Sequence, residues 1–401
     1  MRYLITGGSG YIGSRLVARL AAREATEHVT VADIRPPRAF GQKVGYEQLD
    51  VRDRSRARRL IERDRPEVLV HLAFVLNPMH DEHAMYEIDV GGTQNVLEAA
   101  SAAETGQLLV TSSATAYGAF PDNPVPLTEE HPVRGVSDFE YARDKAESDR
   151  LCQLWACRHP DRVMTIVRPC IVFGPTVDNY ISRSFTDQPF FADFGDGDVP
   201  VQFVHEDDVV DALVTLLDGR RSGAFNVTPD DWMTVAECAE LVGRRRVRVP
   251  YRPYRALAQT MWRLRRVETP AGNLSFVRYP WVASNEKLKA TADWAPRYSS
   301  REAFEIAMRS RGVTPAGPTG DARGGFGRLT VDILAPPGPL AQLGEHQLDK
   351  LGVAGSSPAR PTLPVGTSSG CLGVPDPVGT TRRPRGVVHL GGQVRAPVDL
   401  V

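Results

Sequence analysis

The chain has 401 residues, of which 42% are hydrophobic and 24% charged, and its formal net charge at pH 7 is -1. This length accommodates one large α/β domain with a smaller lobe, or two domains, and the nearly neutral charge gives no general attraction to nucleic acids or anionic membranes. The five cysteines have neither C-x-x-C spacing nor a disulfide framework, and no apolar run is long enough to span a bilayer. We therefore expect reduced thiols and a cytoplasmic protein.

The first part of the chain alternates short apolar runs with longer amphipathic stretches. The runs RYLIT, HVTVA, EVLVHLA, QLLVTS and VMTIVRP predict strands, and stretches such as YIGSRLVARLAARE and GGTQNVLEAASAAE predict helices between them. Strands separated by helices indicate right-handed crossovers and a parallel sheet covered on both faces. The predicted fold class is therefore α/β, with a doubly wound parallel sheet over residues 1–174.

The pattern becomes less regular after Gly174. FVHEDDVVDALVTLLD and TVAECAELVGR predict helices, and the other elements are shorter. Open parallel sheets bind ligands beyond the carboxyl ends of their strands. We therefore expect residues 175–312 to form a smaller substrate-binding region, interleaved with the main fold, that caps this edge.

Residues 313–401 differ in composition, because roughly 31% of them are Gly or Pro, which is in the range of disordered segments. We expect a disordered tail. Codons for Gly338–Pro361 can be chosen so that their ends pair like an acceptor stem and their interior forms two hairpins, as in a transfer-RNA gene. Our hypothesis is that the reading frame runs into such a gene. The alternative is an ordinary disordered tail, and the nucleotide sequence distinguishes the two.

The stretch TGGSGYIG lies between the first predicted strand and the first predicted helix. Gly8, Gly10 and Gly13 give the general dinucleotide spacing G-x-G-x-x-G, whereas Gly7, Gly10 and Gly13 give G-x-x-G-x-x-G. In either register the glycines let the backbone approach a pyrophosphate, which the N-terminus of the helix attracts. The spacing predicts a cofactor-binding turn, and the motifs described below select the register that begins at Gly7.

Asp33 ends the next predicted strand and follows the glycine turn at the separation that a Rossmann fold uses for its ribose-binding acid. A carboxylate there can accept hydrogen bonds from the ribose hydroxyls and repels a 2′-phosphate. NAD is therefore the predicted cofactor, and NADP is disfavoured. Arg35 and Arg38 stand nearby and could instead accommodate that phosphate.

The chain resembles the extended short-chain dehydrogenase/reductase family, the NAD-dependent epimerase and dehydratase group with nucleotide-sugar epimerases. The resemblance covers Met1 to about Phe304 and rests on TGGSGYIG, LDVRD, VLVHLAF, DVGGTQNVLEAA, VTSSATAYG, YARDK, VRPCIVFGP and FVHEDD in the family's order. It implies a homodimer formed through the helix of YARDK. It also implies a set of cofactor contacts, namely Tyr11, Ile12, Asp50, Val51, Leu72, Ala73, Asp89 and Cys170. At one of these positions the chain departs from the family, because Asp89 replaces the usual asparagine.

Three residues carry the predicted chemistry. Tyr141 and Lys145 stand at i and i+4, so they project from one face of a helix. A tyrosine with a pKa of about 10 needs a neighbouring ammonium and a cationic nicotinamide to favour its phenolate. Tyr141 could then exchange a proton with a substrate oxygen during hydride transfer. Ser113, which ends a predicted strand where the family has its catalytic Ser or Thr, would orient that oxygen.

Two departures from the family pattern bear on the substrate. Dehydratases carry an Asp-Glu pair where this chain has Ala114 and Thr115, so dehydration is disfavoured. Sugar epimerases carry an arginine for the nucleotide phosphates where this chain has Val201, which weakens a nucleotide-sugar substrate because a diphosphate needs cationic or backbone donors. Arg183, Arg252 and Arg278 are the candidate substitutes.

Three functions remain open after this comparison. The leading hypothesis is a nucleotide-sugar epimerase-like enzyme that oxidises one carbon and returns hydride to the opposite face. The second is a dehydrogenase or reductase of a less charged secondary alcohol or ketone. The third is a non-catalytic NAD-bound sensor or scaffold, against which the complete Ser-Tyr-Lys set argues.

Two further features of the sequence could indicate a binding site, but we predict no site at either of them. His71, His80 and His83 lack the additional ligands that a metal site would need, so no metal is expected. The segment Gly243–Glu268 is rich in arginine and has Leu257, Met261 and Leu264 at helical spacing. Such a helix can lie on anionic lipid. An ordinary cap helix whose apolar stripe faces the core is favoured, so neither membrane contact nor a nucleic-acid partner is expected.

Overall fold

A computed structural model of the protein describes residues 1–38 and 41–313. The predicted tail and the transfer-RNA-like stretch therefore lie outside the described residues, apart from Val313. The described strands are, in chain order, β1 (Arg2–Thr6), β2 (His28–Asp33), β3 (Val44–Gln48), β4 (Val68–His71), β5 (Gln107–Thr111), β6 (Val163–Pro169), β7 (Ile171–Phe173), β8 (Phe190–Asp193), β9 (Pro200–Val201), β10 (Phe203–His205), β11 (Gly223–Val227), β12 (Met233–Thr234) and β13 (Arg245–Arg248).

The helices follow the strands in alternation through the first part of the chain. The described α-helices are α1 (Tyr11–Ala21), α2 (Arg54–Asp64), α3 (Glu82–Tyr86), α4 (Gly92–Ala102), α5 (Glu140–Arg158), α6 (Tyr180–Thr186), α7 (Glu206–Asp218), α8 (Val235–Leu241), α9 (Tyr251–Arg263), α10 (Glu286–Thr291) and α11 (Ser300–Ser310). A π-helical turn, Glu87–Gly91, joins α3 to α4, and two 3-10 helices span Ala114–Tyr117 and Ala271–Val277. Within the described ranges, no helix is both long and apolar enough to cross a bilayer.

The central sheet has seven strands in the order β11-β6-β5-β4-β1-β2-β3, and all neighbouring strands are parallel. Leu4 of β1 is level with Thr30 of β2 and with Leu69 of β4. The order outward from β1 is that of a doubly wound dinucleotide-binding sheet. The predicted fold class is therefore confirmed.

Alternate residues of each inner strand enter the cores on opposite faces of the sheet. Ile5 of β1 and Val70 of β4 belong to one buried cluster, whereas Leu4 and Leu69 belong to the other. Side chains alternate between faces along a strand, so a strand covered on both faces reads as a continuous apolar run. This is why RYLIT and EVLVHLA are recognisable as strands in the sequence.

Three small two-stranded pairings lie outside the central sheet, namely β10 with β7, β12 with β9, and β13 with β8. Strand β11, which belongs to the same part of the chain, joins the central sheet by pairing with β6 along Gly223–Val227. Helix α7 also contacts the main fold, since Arg15 of α1 forms ion pairs with Glu206 and Asp207. The second part of the chain thus supplies both an edge strand and a covering helix to the sheet.

Candidate active site

The glycine turn after β1 is crowded by backbone atoms. Gly7 has a φ of +71°, and a Cβ there would lie 2.6 Å from the backbone nitrogen of Ala73. A Cβ on Gly13 would overlap the carbonyl oxygen of Gly7, and one on Gly10 would lie 3.1 Å from that oxygen. At Gly8 the nearest atom is a side-chain methyl of Val31, at 3.0 Å. Backbone thus excludes side chains at positions 7 and 13, as the register beginning at Gly7 requires.

Helix α1 begins directly behind this turn. Gly10 precedes it without a side-chain cap, and its first turn contains no acidic residue. The first N–H groups of a helix lack partners within the helix and carry the positive end of its dipole. Tyr11, Ile12 and Gly13 line the cavity described below. The close backbone turn and the uncapped helix together fit the diphosphate of a dinucleotide.

Asp33 lies at the end of β2, beside the glycine turn. Its carboxylate accepts a hydrogen bond from the backbone N–H of Ser9 at 3.0 Å and another from that of Arg35 at 3.1 Å. These bonds fix the carboxylate and leave further acceptor positions on its two oxygens. The predicted ribose-binding acid therefore has the location that the sequence indicates.

Asp50 and Val51 follow Leu49 at the turn before α2. The Arg52 side chain donates hydrogen bonds to Asp50, the shortest at 2.6 Å. Burial acts to raise the pKa of Asp50, but the hydrogen bonds from Arg52 outweigh it and lower that pKa. Val51 packs against the backbone of α4, since a Cβ on Gly92 would lie 2.5 Å from a Val51 methyl.

Ser113 and Tyr141 come together at the carboxyl end of β5. The Ser113 Oγ accepts hydrogen bonds from the Thr115 backbone N–H at 3.1 Å and from the Thr115 hydroxyl at 2.8 Å. Burial raises the pKa of Tyr141, hydrogen bonding to Ser113 and Thr115 lowers it, and the charge of Asp89 raises it. The net shift of the pKa is upward in the protein by itself, and the expected stabilisation of the phenolate, which also depends on the charge of a bound nicotinamide, stays a prediction.

Lys145 lies one helical turn beyond Tyr141 and is buried. Its ammonium donates a hydrogen bond to the Thr111 carbonyl at 2.8 Å and lies 3.2 Å from the centroid of the Phe74 ring. Burial lowers the pKa of Lys145 to about 7, against the opposing effect of Asp89. Such a lysine exchanges its proton near neutral pH.

Asp89 lies in the π-helical turn between α3 and α4 and is fully buried. Its Oδ1 accepts a hydrogen bond from the Val75 N–H at 2.8 Å, whereas its Oδ2 has no hydrogen-bond partner among the described residues. Burial raises the pKa of Asp89 to about 7, and the charge of Lys145 opposes that rise. The aspartate that replaces the family's asparagine is therefore electrostatically coupled to Lys145.

His71 has a structural environment rather than that of a metal ligand. Its two ring nitrogens lie 2.6 Å from the Thr6 hydroxyl and 3.1 Å from the Thr93 hydroxyl. Burial lowers the pKa of His71 to about 3, so the ring is neutral. His80 is stacked on Trp262. In the part of the chain that is described, no cluster of three His, Cys, Asp or Glu side chains could hold a metal ion.

A cavity of about 500 Å³ joins these elements. Most of the predicted site residues line it, namely Gly7, Gly10, Tyr11, Ile12, Gly13, Leu72, Ser113, Tyr141, Lys145 and Cys170. Five others are not on its wall, namely Asp33, Asp50, Val51, Ala73 and Asp89. Thr115 and Phe74 also line the cavity, although the sequence did not single them out as site residues. The sequence indicated a role for them only through their positions, since Thr115 follows β5 and Phe74 follows β4.

The part of the wall beyond the catalytic cluster is mostly apolar, although it also includes the neutral polar side chains of Asn179, Ser184, Gln188, Thr269 and Asn273. Val201, for which the family resemblance led us to expect an arginine, is 5% exposed and lines the cavity. The aromatic side chains of this wall include Phe139, Phe185, Phe191, Phe276 and Trp281. Among residues 1–38 and 41–313, Lys145 is the only cationic side chain on the wall.

The three arginines considered as substitutes for the missing phosphate ligand do not line this cavity. Arg183 forms ion pairs with Asp178 and Glu268. Arg278 donates to both carboxylate oxygens of Asp196, at 2.6 and 3.1 Å. The third, Arg252, is exposed on α9. The described wall therefore lacks a dedicated arginine for a diphosphate.

The fold and the glycine turn define an α/β dinucleotide-binding protein. The sequence model of the NAD dependent epimerase/dehydratase family matches residues 3–228, which is more than half of the chain. The chain therefore belongs to this family of enzymes, and the prediction of NAD as its cofactor is confirmed.

Similar proteins of known sequence include a UDP-glucose 4-epimerase of Rhizobium meliloti, which is 26% identical over 330 residues that cover 76% of this chain and 95% of that protein. An uncharacterized protein of Mycobacterium bovis is 25% identical over 319 residues, covering 78% of this chain and 84% of that protein.

Solved structures of similar fold include two bacterial UDP-glucose 4-epimerases. The Thermus thermophilus enzyme in complex with NAD has a TM-score of 0.60 and 24% identity, and the match covers 78% of this chain and 99% of that one. The Thermotoga maritima enzyme with UDP-glucose has a TM-score of 0.60 and 22% identity, over 78% of this chain and 98% of that one. At these identities the likeness establishes the fold.

Proposed function

We propose that this protein is an NAD-dependent oxidoreductase that interconverts a secondary alcohol and a ketone whose body is uncharged and largely apolar. The observation that carries the proposal is the cavity itself. It combines Ser113, Tyr141 and Lys145 with the glycine turn on one side and an apolar wall, including Val201, on the other. An assembled catalytic set of this kind argues against a non-catalytic sensor or scaffold.

In this proposal, the glycine turn and the start of α1 hold the diphosphate of NAD, and Asp33 accepts hydrogen bonds from the adenosine ribose. Asp50 and Val51 flank the adenine, and Leu72 and Ala73 lie along the cofactor. Tyr11 and Ile12 approach the diphosphate through their backbone, and Asp89 and Cys170 lie towards the nicotinamide half. When bound, NAD takes up and returns hydride, and its positive charge favours the Tyr141 phenolate.

The protein's own groups move the proton and orient the substrate. The Thr115 hydroxyl donates to the Ser113 Oγ, so the Ser113 proton is available either to the Tyr141 oxygen or to a substrate oxygen. Ser113 then holds that oxygen against the Tyr141 hydroxyl, which gives or takes the proton. Lys145 is held by the Thr111 carbonyl and carries a positive charge beside this pair. The surrounding apolar wall excludes water.

A nucleotide-sugar epimerase-like reaction is the second candidate. It is supported by the likeness to the Rhizobium meliloti UDP-glucose 4-epimerase over 95% of that protein. Such a substrate would have to bind its diphosphate with backbone N–H groups or neutral side chains, because the described wall offers no arginine. Charged groups removed from water need paired donors, and this requirement places the epimerase second.

Two measurements separate these candidates. The full-length protein is incubated with NAD and a panel of apolar secondary alcohols, and with NADH and the matching ketones, while NADH absorbance is followed. Stoichiometric change in NADH supports the proposal. Titration calorimetry with UDP and UDP-glucose tests the alternative, because an epimerase-type site should bind both. Binding of UDP together with sugar interconversion and no alcohol turnover would replace our proposal by the epimerase.

The catalytic assignment has its own test. Tyr141→Phe should lower kcat on any substrate found by at least about 100-fold, since general acid–base catalysis contributes roughly that much or more. Tyr254→Phe is the matched control, because Tyr254 also lines the cavity but belongs to α9. Its kcat should stay within a few-fold of the unmodified protein. Unchanged turnover in Tyr141→Phe would remove Tyr141 from the mechanism.

A further inference from the structure

Helix α9 exposes part of the apolar stripe that was expected to face the core, although Met261 of that stripe is half-buried. Leu257 is 53% exposed and Leu264 is 63% exposed, so that expectation is wrong for both leucines. The helix is attached to the body by its other side, where Trp262 is its buried residue and stacks on His80 at 3.8 Å between ring centroids. The outward leucines stand seven residues apart and so lie along one face of the helix.

Arginines surround this exposed stripe. The segment from Gly243 to Val267 contains nine arginines and no aspartate or glutamate. Some are neutralised by the body of the protein, as Arg246 is by Asp198 and Arg255 by Asp138. Arg252, Arg263 and Arg266 are exposed. Exposed leucines beside arginines, whose long side chains can reach a charged surface, are typical of helices that lie in a membrane interface.

The exposed apolar surface is continuous with the cavity. Val267 follows α9, is 38% exposed and also lines the cavity. Tyr254 and Ala258, on the inner side of α9, line the same cavity. An apolar molecule at the surface near Leu264 would therefore meet apolar side chains along its way to the catalytic cluster.

We propose that Leu257, Leu264 and Val267, with the exposed Arg252, Arg263 and Arg266, form a docking patch that binds the surface of an anionic lipid bilayer. The leucines enter the boundary between headgroups and acyl chains, and the arginines contact the anionic headgroups. Residues that the sequence pattern assigned to the core thus give the protein a peripheral membrane contact.

Charge favours lipid over a second copy of the chain as the occupant of the docking patch. In a two-fold symmetric dimer the same patch meets itself. The arginines of one copy would then face those of the other without an acidic residue from the same segment to neutralise them. An anionic bilayer provides the opposite charge to all of them at once.

Docking would bring the cavity mouth to the phase in which apolar alcohols and ketones dissolve. This consequence rests on the proposed function, because it requires an apolar substrate. Binding to lipid does not depend on it and is tested without substrate or cofactor.

The test is co-sedimentation of the full-length protein with vesicles. One set of vesicles is phosphatidylcholine alone, and the other contains equal parts of phosphatidylcholine and phosphatidylglycerol. The unmodified protein should bind the anionic vesicles, and more weakly as salt is added. The double variant L257E/L264E should bind at least about tenfold more weakly, because it removes the apolar contact. Each of R252Q and R263Q should weaken binding about fivefold, the effect of roughly 1 kcal/mol per basic residue at an anionic surface.

The matched control is V125E, because Val125 is 47% exposed and lies outside the docking patch. It should bind like the unmodified protein, and circular dichroism should give the same spectrum for all variants. Binding to neither vesicle type, or equal binding by L257E/L264E, would overturn the proposal. So would a dimer in sedimentation equilibrium that L257E/L264E converts to a monomer without any lipid binding. Failure of the proposed function would be seen in the separate NADH assay, as no change in NADH with any alcohol or ketone, whether or not the protein binds vesicles.

Discussion

Replacing Gly7 by alanine places a methyl group where the end of β1 meets the end of β4. The new Cβ would lie 2.6 Å from both the Ala73 nitrogen and the Leu72 carbonyl carbon, so the two strand ends must separate. A left-handed backbone costs a non-glycine residue roughly 1–2 kcal/mol, and overpacking costs roughly 1–3 kcal/mol more. The expected loss in free energy of unfolding is therefore about 2–5 kcal/mol.

Gly8→Ala is the control, because its Cβ would meet a Val31 methyl at 3.0 Å and the Ile5 carbonyl oxygen at 3.2 Å, which is milder crowding than the 2.6 Å backbone contacts at Gly7. We expect it to change the free energy of unfolding by less than about 1 kcal/mol, since alanine also restricts the unfolded chain by about 0.4–1 kcal/mol.

Chemical and thermal unfolding, together with NAD calorimetry, distinguish the two variants. Gly7→Ala should lower the melting temperature by at least roughly 4 °C, at about 2–4 °C per kcal/mol for a domain of comparable size. It should also weaken NAD binding tenfold or more, which corresponds to about 1.4 kcal/mol. If Gly8→Ala reduced stability and NAD affinity as much as Gly7→Ala, the register that begins at Gly7 would be refuted.

Three further predictions concern buried groups. Because burial raises the pKa of Asp89 to about 7, the unmodified protein should lose stability as pH rises from about 4 towards 7. The loss should be smaller in Asp89→Asn, in which Glu140 and Asp144 keep their raised pKa values; an equal loss between pH 5 and pH 7 in urea unfolding of the two proteins would contradict the raised pKa of Asp89. The same variant removes a charge that raises the pKa of Lys145, so any limb of the kcat/KM profile that reports Lys145 should move to lower pH. Arg168 donates two 2.8 Å hydrogen bonds to Asp149 in the interior, so Arg168→Met should lower the free energy of unfolding in urea by about 3–5 kcal/mol. Adding Asp149→Leu should restore part of that free energy, because it removes the unpaired buried charge. If the double variant were no more stable than Arg168→Met, packing rather than charge would decide the loss. Phe304 is fully buried, so Phe304→Ala should cost about 3–5 kcal/mol, and a loss below about 1 kcal/mol would mean that α11 contributes little to the core.

The five strands that the sequence predicts are buried on both faces and therefore appear as apolar runs. The two strands of the central sheet that it did not predict lie at the edges. Val44–Gln48 of β3 is half-exposed or exposed throughout, so its sequence lacks a strong apolar signal. Gly223–Val227 of β11 begins with a glycine and is joined to the sheet by pairing with β6. That pairing depends on contacts between segments that are distant in the chain.

The sequence by itself determined the α/β class, the five inner strands of a doubly wound parallel sheet, and the glycine turn followed by Asp33. These features depend on local periodicity and on the backbone freedom of glycine, which each segment carries with it. Spacing alone was also sufficient to nominate Tyr141 and Lys145 as one pair on a helix.

Only the tertiary structure decided how these groups are tuned and what surrounds them. It brings Thr115 onto Ser113, couples Asp89 to Lys145 in the interior, and raises the pKa of Tyr141 through burial. It also turns Leu257 outward, although its spacing predicted a core position. The physical reason is common to all of them: the burial and charge environment of a side chain is set by elements far away in sequence, and no local pattern contains that information.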